Sequence, residues 1–395
     1  MTTTQQEAHE TTAGMLVQRA RELAPRLRER AAQTEALRSL PPETVEDLRA
    51  SGLLRVQKPA RYGGYQLGYD VLTAIFIELA QGCASTSWVS MILNSAGIVA
   101  GFPDQAQEEL WGSGADNLVC GVFSAVPVQL VDGGYRLSGS WLFASGIDHA
   151  DWLFLGGLVP GERGATDMRF FLLPKSEISI VDDWFVLGLR GTGSKKVVAN
   201  DVFVPGHRSV SMALLREGNS PGAEFHDSPL YRIPLAAIYH TSAVGPAIGA
   251  AKGALRDYIE WTRTRTERNT RPLIENAETQ IHLAESSADI DVAERIIRAD
   301  IAEVMALAGQ GRSIDPLERA RYHRDAVYCS ALCVRAVDRL FEQSGGSVLH
   351  DEHPVQRAWR DIHAAAAHHS NRWDSGMQHY GRMVFGLGSA NPFFY

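Results

Sequence analysis

The period of the apolar residues changes twice along the chain, and few folds satisfy that pattern. Up to about residue 115 apolar side chains recur at helical spacing, as at Leu16, Ala20, Leu23 and Leu27, with Arg and Glu between them. Pro41-Pro42 opens a second helix, continued by Val45, Leu48 and Leu53. Residues 85–100 are apolar nearly all round, which suits a helix inside a core. From 118 to 210 the pattern becomes short β-rich runs broken by Gly and Asp. Asp132-Gly133-Gly134 before Tyr135 predicts a hairpin, and 152–155, 169–173 and 202–204 predict strands. From about 230 the helical period returns, and 239–264, 277–309, 316–345 and 355–385 are each long enough for one helix of a four-helix bundle. Gly245, Gly249 and Gly253 share one helical face, which predicts close approach by another helix. The fold class is α+β and mainly α: a helical domain over 1–116, a β-barrel or sandwich over 117–215 and a helical bundle over 216–395.

Charge excludes some partners. A net charge of −8 leaves no basic field for nucleic acid or an anionic membrane. No stretch approaches eighteen unbroken apolar residues, so no spanning helix is expected. The polar N-terminus lacks the basic start and apolar core of a secretion signal. The four cysteines, Cys83, Cys120, Cys329 and Cys333, form no CxxC pair. Buried thiols in a reducing, cytoplasmic setting are expected.

Several cofactor motifs are absent. Gly188-Leu-Arg-Gly191-Thr-Gly193 clusters glycines but is not GxGxxG, and it sits between β-runs, so a nicotinamide site is unsupported. There is no GxxxxGK[ST], GxSxG or HExxH. His350, His353, His363, His368 and His369 cluster late, without ligand spacing, and no metal is expected.

Five further motifs stand in order: Tyr62-Gly-Gly64; Cys83-Ala-Ser-Thr-Ser-Trp88; Gly133 to Gly146 with His149-Ala-Asp-Trp152; Gly188 to Ser194 with Val202-Phe-Val-Pro205; and Pro354-Val-Gln-Arg-Ala-Trp-Arg360-Asp-Ile-His, which runs on to His368. Together they resemble the acyl-CoA dehydrogenase fold. Within it they resemble the two-component, reduced-flavin-dependent monooxygenases, such as the oxygenase of 4-hydroxyphenylacetate hydroxylase. The resemblance extends from about residue 15 to about residue 385. It departs from the dehydrogenases at their catalytic Glu, since the matching stretch reads Ala367-His368-His369-Ser370. Phe123-Ser-Ala-Val-Pro127 stands in place of their Thr-Glu-Pro run. Without a carboxylate base, desaturation of a thioester loses its main catalyst, so a desaturase is the alternative reading. An N- or S-oxygenase on the same fold is a further one.

The resemblance implies reduced flavin (FADH2 or FMNH2) from a separate NAD(P)H-flavin reductase, O2 as co-substrate, a flavin C4a-hydroperoxide, and a small electron-rich aromatic substrate. It also implies a homotetramer or dimer. Trp141, Phe143, Ala144 and Ser145 would run along the isoalloxazine, with Ser145 near N5. His368, with His369 as fallback, would act at the peroxide end. Arg263 would reach the flavin phosphates, with Arg265 and Arg271 as alternatives, and Gly345-Gly346-Ser347 would cradle them. Asn94 takes the place of a phenol-binding histidine, near Trp88, and Cys120 stands where a serine can occur. That exchange points to a ring that needs no ionisation, such as an indole or carbazole, in natural-product biosynthesis.

Overall fold

The computed structural model describes residues 3–161, 165–267 and 271–390. The N-terminal part is helical: α1 (Thr3–Leu37), α2 (Pro42–Ala50), α3 (Tyr69–Ala80), α4 (Ala84–Leu93), α5 (Ala96–Val99) and α6 (Asp104–Trp111). Helix α3 is buried along nearly its whole length.

Eight strands follow: β1 (Val119–Pro127), β2 (Gln129–Val131), β3 (Gly134–Ala144), β4 (Trp152–Pro160), β5 (Thr166–Pro174), β6 (Ser179–Val181), β7 (Lys195–Pro205) and β8 (Ser209–Ser211). They form two four-stranded sheets, ordered β1-β4-β5-β8 and β2-β3-β7-β6. Within these sheets, among the described residues, β1 and β4 pair in parallel and the other strand pairs are antiparallel. The expected hairpin forms between β2 and β3, with Val131 opposite Gly134 and Gly133 at φ 74°. Leu137, Trp141, Leu153, Leu155, Phe171 and Val197 fill the space between the sheets.

The bundle holds α7 (Met212–Glu217), α8 (Leu235–Ala243), α9 (Gly245–Thr262), α10 (Ala277–Gly309), α11 (Pro316–Gln343), α12 (Pro354–Ala366) and α13 (Trp373–Val384). Asp315 and Glu318 form a capping box that starts α11. The glycine face of α9 lies on α3: a Cβ at Gly249 would stand 2.3 Å from the Ile77 carbonyl oxygen. Overpacking of this kind costs about 1–3 kcal/mol.

Three helices expected to be continuous are broken, the first of them residues 85–100, which divide at Asn94-Ser95. Residues 239–264 divide at Val244, because Pro246 lacks an N–H and its ring displaces the preceding turn. Residues 355–385 divide between Ala366 and Trp373. There the His368 side chain accepts the Ser370 N–H, and the Asn371 amide donates to the Ala365 carbonyl. These side-chain bonds compete with the helical ladder. His368 and His369 therefore occupy a turn, not successive positions of a helix.

Candidate functional site

A cavity of about 500 Å³ opens where the N-terminal helices, the sheets and the bundle meet. Small-molecule sites commonly have this size. Helices α3 and α4 contribute Phe76, Trp88 and Met91, and Asn94 follows α4. The β-part contributes Phe123, Ser124, Phe143, Ser145, Trp184 and Ser194, and the bundle contributes Tyr239, His368, His369 and Arg372. Among the described residues no Asp or Glu lines the cavity.

Strand β3 ends in a tight turn. Phe143 adopts φ 66° and Gly146 φ 71°, and the Ser145 N–H donates to the Phe143 carbonyl at 2.9 Å. A bulky residue at positive φ is strained, and such strain collects at functional sites. The turn leaves Phe143 63% exposed, edge-on to Trp184 with ring centroids 6.0 Å apart. The Ser145 hydroxyl is 2.6 Å from that of Ser194, which is 2.6 Å from that of Thr192.

His368 packs edge-on to Trp88, 5.1 Å between centroids. Its Nδ1 accepts the Ser370 N–H at 3.4 Å and lies 2.6 Å from the Ser370 hydroxyl. A nitrogen that accepts carries no proton, so the proton sits on Nε2. Burial pushes the pKa of His368 down to about 3, with the neighbouring His369 adding to the effect, so the ring is neutral. The Nε2 of His369 lies 3.0 Å from the Tyr239 hydroxyl, and burial lowers its pKa as well.

Asn94 ends α4. Its amide NH2 donates to the Leu53 carbonyl at 2.9 Å and the Ser90 carbonyl at 2.8 Å. Its Oδ1 is buried and has no hydrogen-bond partner. An unsatisfied buried acceptor costs about 1–3 kcal/mol.

The fold thus gathers Trp88, Asn94, Phe143, Ser145 and His368 around one cavity. Other expected contacts lie elsewhere. Trp141 is fully buried between the sheets and donates its indole N–H to the Gly156 carbonyl at 2.8 Å. Ala144 is also fully buried and does not line the cavity. Cys120 points into the core beside the cavity, and burial pushes its thiol up to about 12. Its neighbours Gly121 to Ser124 form the wall instead. Arg263 is an exposed residue capping α9. Gly345, Gly346 and Ser347 follow α11, and neither they nor Arg263 line the cavity of this chain. Thr192, Ser194, Trp184, Tyr239 and Arg372 were not assigned roles from sequence. Of these, Thr192 and Ser194 lie within the Gly188 to Ser194 motif.

Residues 7–114 match the acyl-CoA dehydrogenase N-terminal domain and residues 241–373 the acyl-CoA dehydrogenase C-terminal domain. The chain is 36% identical over 375 residues to the flavin-dependent monooxygenase oxygenase subunit HsaA of Rhodococcus jostii (strain RHA1), covering 94% of this chain and 98% of that one. The chain belongs to the flavin-dependent monooxygenases of the acyl-CoA dehydrogenase fold. This oxygenase is also 36% identical to the oxygenase component of the FADH2-dependent resorcinol hydroxylase of Rhizobium sp. (strain MTP-10005), over 94% of each chain. XiaF from Streptomyces sp., solved with FADH2 and glycerol, superposes on it with a TM-score of 0.90 at 28% identity, covering 99% of this chain and 100% of XiaF. The oxygenase is an oxidoreductase that depends on flavin. None of its helices, among the described residues, is long and apolar enough to cross a membrane.

Proposed function

We propose that the oxygenase adds one oxygen atom to a small electron-rich aromatic ring whose edge carries a hydrogen-bond donor, a phenolic O–H or an indole-type N–H. The observation that carries this reading is Asn94 among the cavity-lining residues, its NH2 committed to two carbonyls and its Oδ1, buried beside the cavity, the one unused group of the amide. The resorcinol hydroxylase relative supports a phenol. The indole-3-acetate monooxygenase of Pseudomonas putida keeps the indole-type ring in the same class.

The residues fit a flavin. The cavity has room for the ring system, Phe143 and Trp184 offer aromatic surface, and Ser145 offers a hydroxyl oxygen where a ring N–H can donate. Reduced flavin, delivered by a separate NAD(P)H-flavin reductase, would supply the electrons that activate O2. Ser145 would accept from the N5 edge. Neutral His368 would offer its Nε2–H as a donor while adding no positive charge, and the apolar wall of Phe76, Met91, Phe123 and Ile238 would exclude water. The absence of a lining carboxylate, among the described residues, argues against thioester desaturation. We assign Arg263 and Gly345-Gly346-Ser347 to the flavin phosphates of a neighbouring copy, which makes a homo-oligomer part of this reading. The four buried free thiols support a cytoplasmic setting.

The test supplies a flavin reductase, NADH and O2 with phenol, resorcinol and indole, each beside its O-methyl or N-methyl counterpart. The free donors should be oxidised and the methylated rings much less so. Equal turnover of both sets would remove Asn94 from recognition.

A further inference from the structure

Three hydroxyls and one carbonyl form a chain with a fixed direction. The Thr192 hydroxyl donates to the Leu189 carbonyl at 2.8 Å, because a carbonyl can only accept. A hydroxyl has a single hydrogen to give. The contact between Thr192 and Ser194 therefore uses the Ser194 hydrogen, and the contact between Ser194 and Ser145 uses that of Ser145. Ser145 is left with lone pairs alone to face the cavity.

The far end of the chain is held firmly. Leu189 adopts φ 52°, and its N–H donates to the buried Asp361 carboxylate at 2.7 Å. The Trp184 indole N–H donates to the same Leu189 carbonyl at 3.3 Å. The Gly146 N–H donates to the Thr192 carbonyl at 2.9 Å, tying the two ends of the relay together through the backbone. Thr192 and Ser194 are both buried, so water does not offer the hydroxyls other partners freely.

We infer that Thr192 and Ser194 are positioning residues that make Ser145 an acceptor-only contact and so set the preference of this site for reduced over oxidised flavin. The inference rests on the reading above, in which the N5 edge of the flavin meets Ser145. Reduced flavin carries a hydrogen on N5 and can donate to Ser145. Oxidised flavin presents a lone pair there, which would face the lone pairs of Ser145.

The experiment measures the dissociation constants of reduced flavin, anaerobically, and oxidised flavin for the parent and four variants. Thr192→Val keeps the shape but removes the acceptor for Ser194. Ser194 can then turn its hydrogen to Ser145, whose own hydrogen becomes free to meet oxidised N5. The ratio of oxidised to reduced dissociation constants should fall by roughly three- to tenfold, the worth of one hydrogen bond. Ser194→Ala should lower the ratio similarly, and it stands in if Thr192→Val does not fold. Thr192→Ser should restore the parent ratio. An unchanged ratio in the folded Val or Ala variant would overturn the inference. Ser145→Ala separates the two levels: if it alters the ratio while the relay variants do not, the flavin reading stands and the relay falls. If Ser145→Ala changes neither dissociation constant, both fall.

Discussion

The Ser370 backbone N–H donates to His368 Nδ1 at 3.4 Å, within a turn that interrupts the last helices of the bundle. This bond fixes the tautomer and presents Nε2–H as the ring's remaining donor. It also explains why a neutral histidine can stand in a cavity without a carboxylate partner. His368→Ala should therefore keep flavin affinity within a few-fold and impair oxygen transfer. Product formation should drop by about tenfold or more, within the usual span for a lost proton donor, and H2O2 per flavin oxidised should rise. Simultaneous assay of product and peroxide checks this, and unchanged coupling would move the role to His369.

Asn94 holds the fold through two carbonyls and also lines the cavity. Asn94→Ala should cut kcat/KM for a donor-bearing ring by about tenfold at most, the loss of one neutral hydrogen bond. It should also lower Tm, since the Leu53 and Ser90 carbonyls lose a donor. Asn94→His should shift preference toward phenols over indole. Steady-state kinetics on both rings in all three proteins checks it, and constant ratios would confine Asn94 to the fold.

Trp141 gives the opposite separation. Trp141→Phe removes the bond to the Gly156 carbonyl and part of the packing between the sheets. Stability should fall by about 1–3 kcal/mol, while the flavin dissociation constant stays within twofold. Calorimetry and a flavin titration read the two effects. A large loss of flavin affinity at unchanged Tm would return Trp141 to the cofactor site.

Acid should destabilise the protein. Burial holds His226 and His379 down to about 4, and His323 and His368 down to about 3. Unfolding lets these rings bind protons below their ordinary value of 6.5, so the stability they contribute is complete above that pH and is lost as pH falls toward 4. Asp300, raised to about 7 by burial, and Asp361, raised to about 6, oppose this, because the folded state keeps their protons. The histidines outnumber them. Tm should fall between pH 7.5 and pH 5, and a flat or rising Tm would contradict the balance.

The layering was legible because period 2 and period 3.6 differ sharply along this chain, and Asp132-Gly133 marks its hairpin directly. The two later helix breaks were harder to read. Around 244–246 only one proline interrupts an apolar run. At 364–367 four alanines favour helix, and the break depends on side-chain bonds from His368 and Asn371. Trp141 was legible in principle: counting by two from Leu137 places it on the inward face, away from the cavity. Ser194 stood at the end of Gly191-Thr-Gly-Ser, but its link to Ser145 is a tertiary contact 49 positions away. Local pattern carries no record of such a contact.

The central claim is oxygen transfer from O2 to an aromatic ring in the cavity that holds Ser145 and His368. The most direct measurement mixes the protein and one equivalent of reduced flavin with 18O2 and resorcinol or indole, then weighs the product by mass spectrometry. The account predicts product carrying one 18O atom, approaching one per flavin. It is contradicted if neither ring gains labelled oxygen and an acyl-CoA thioester bleaches the bound oxidised flavin under anaerobic conditions.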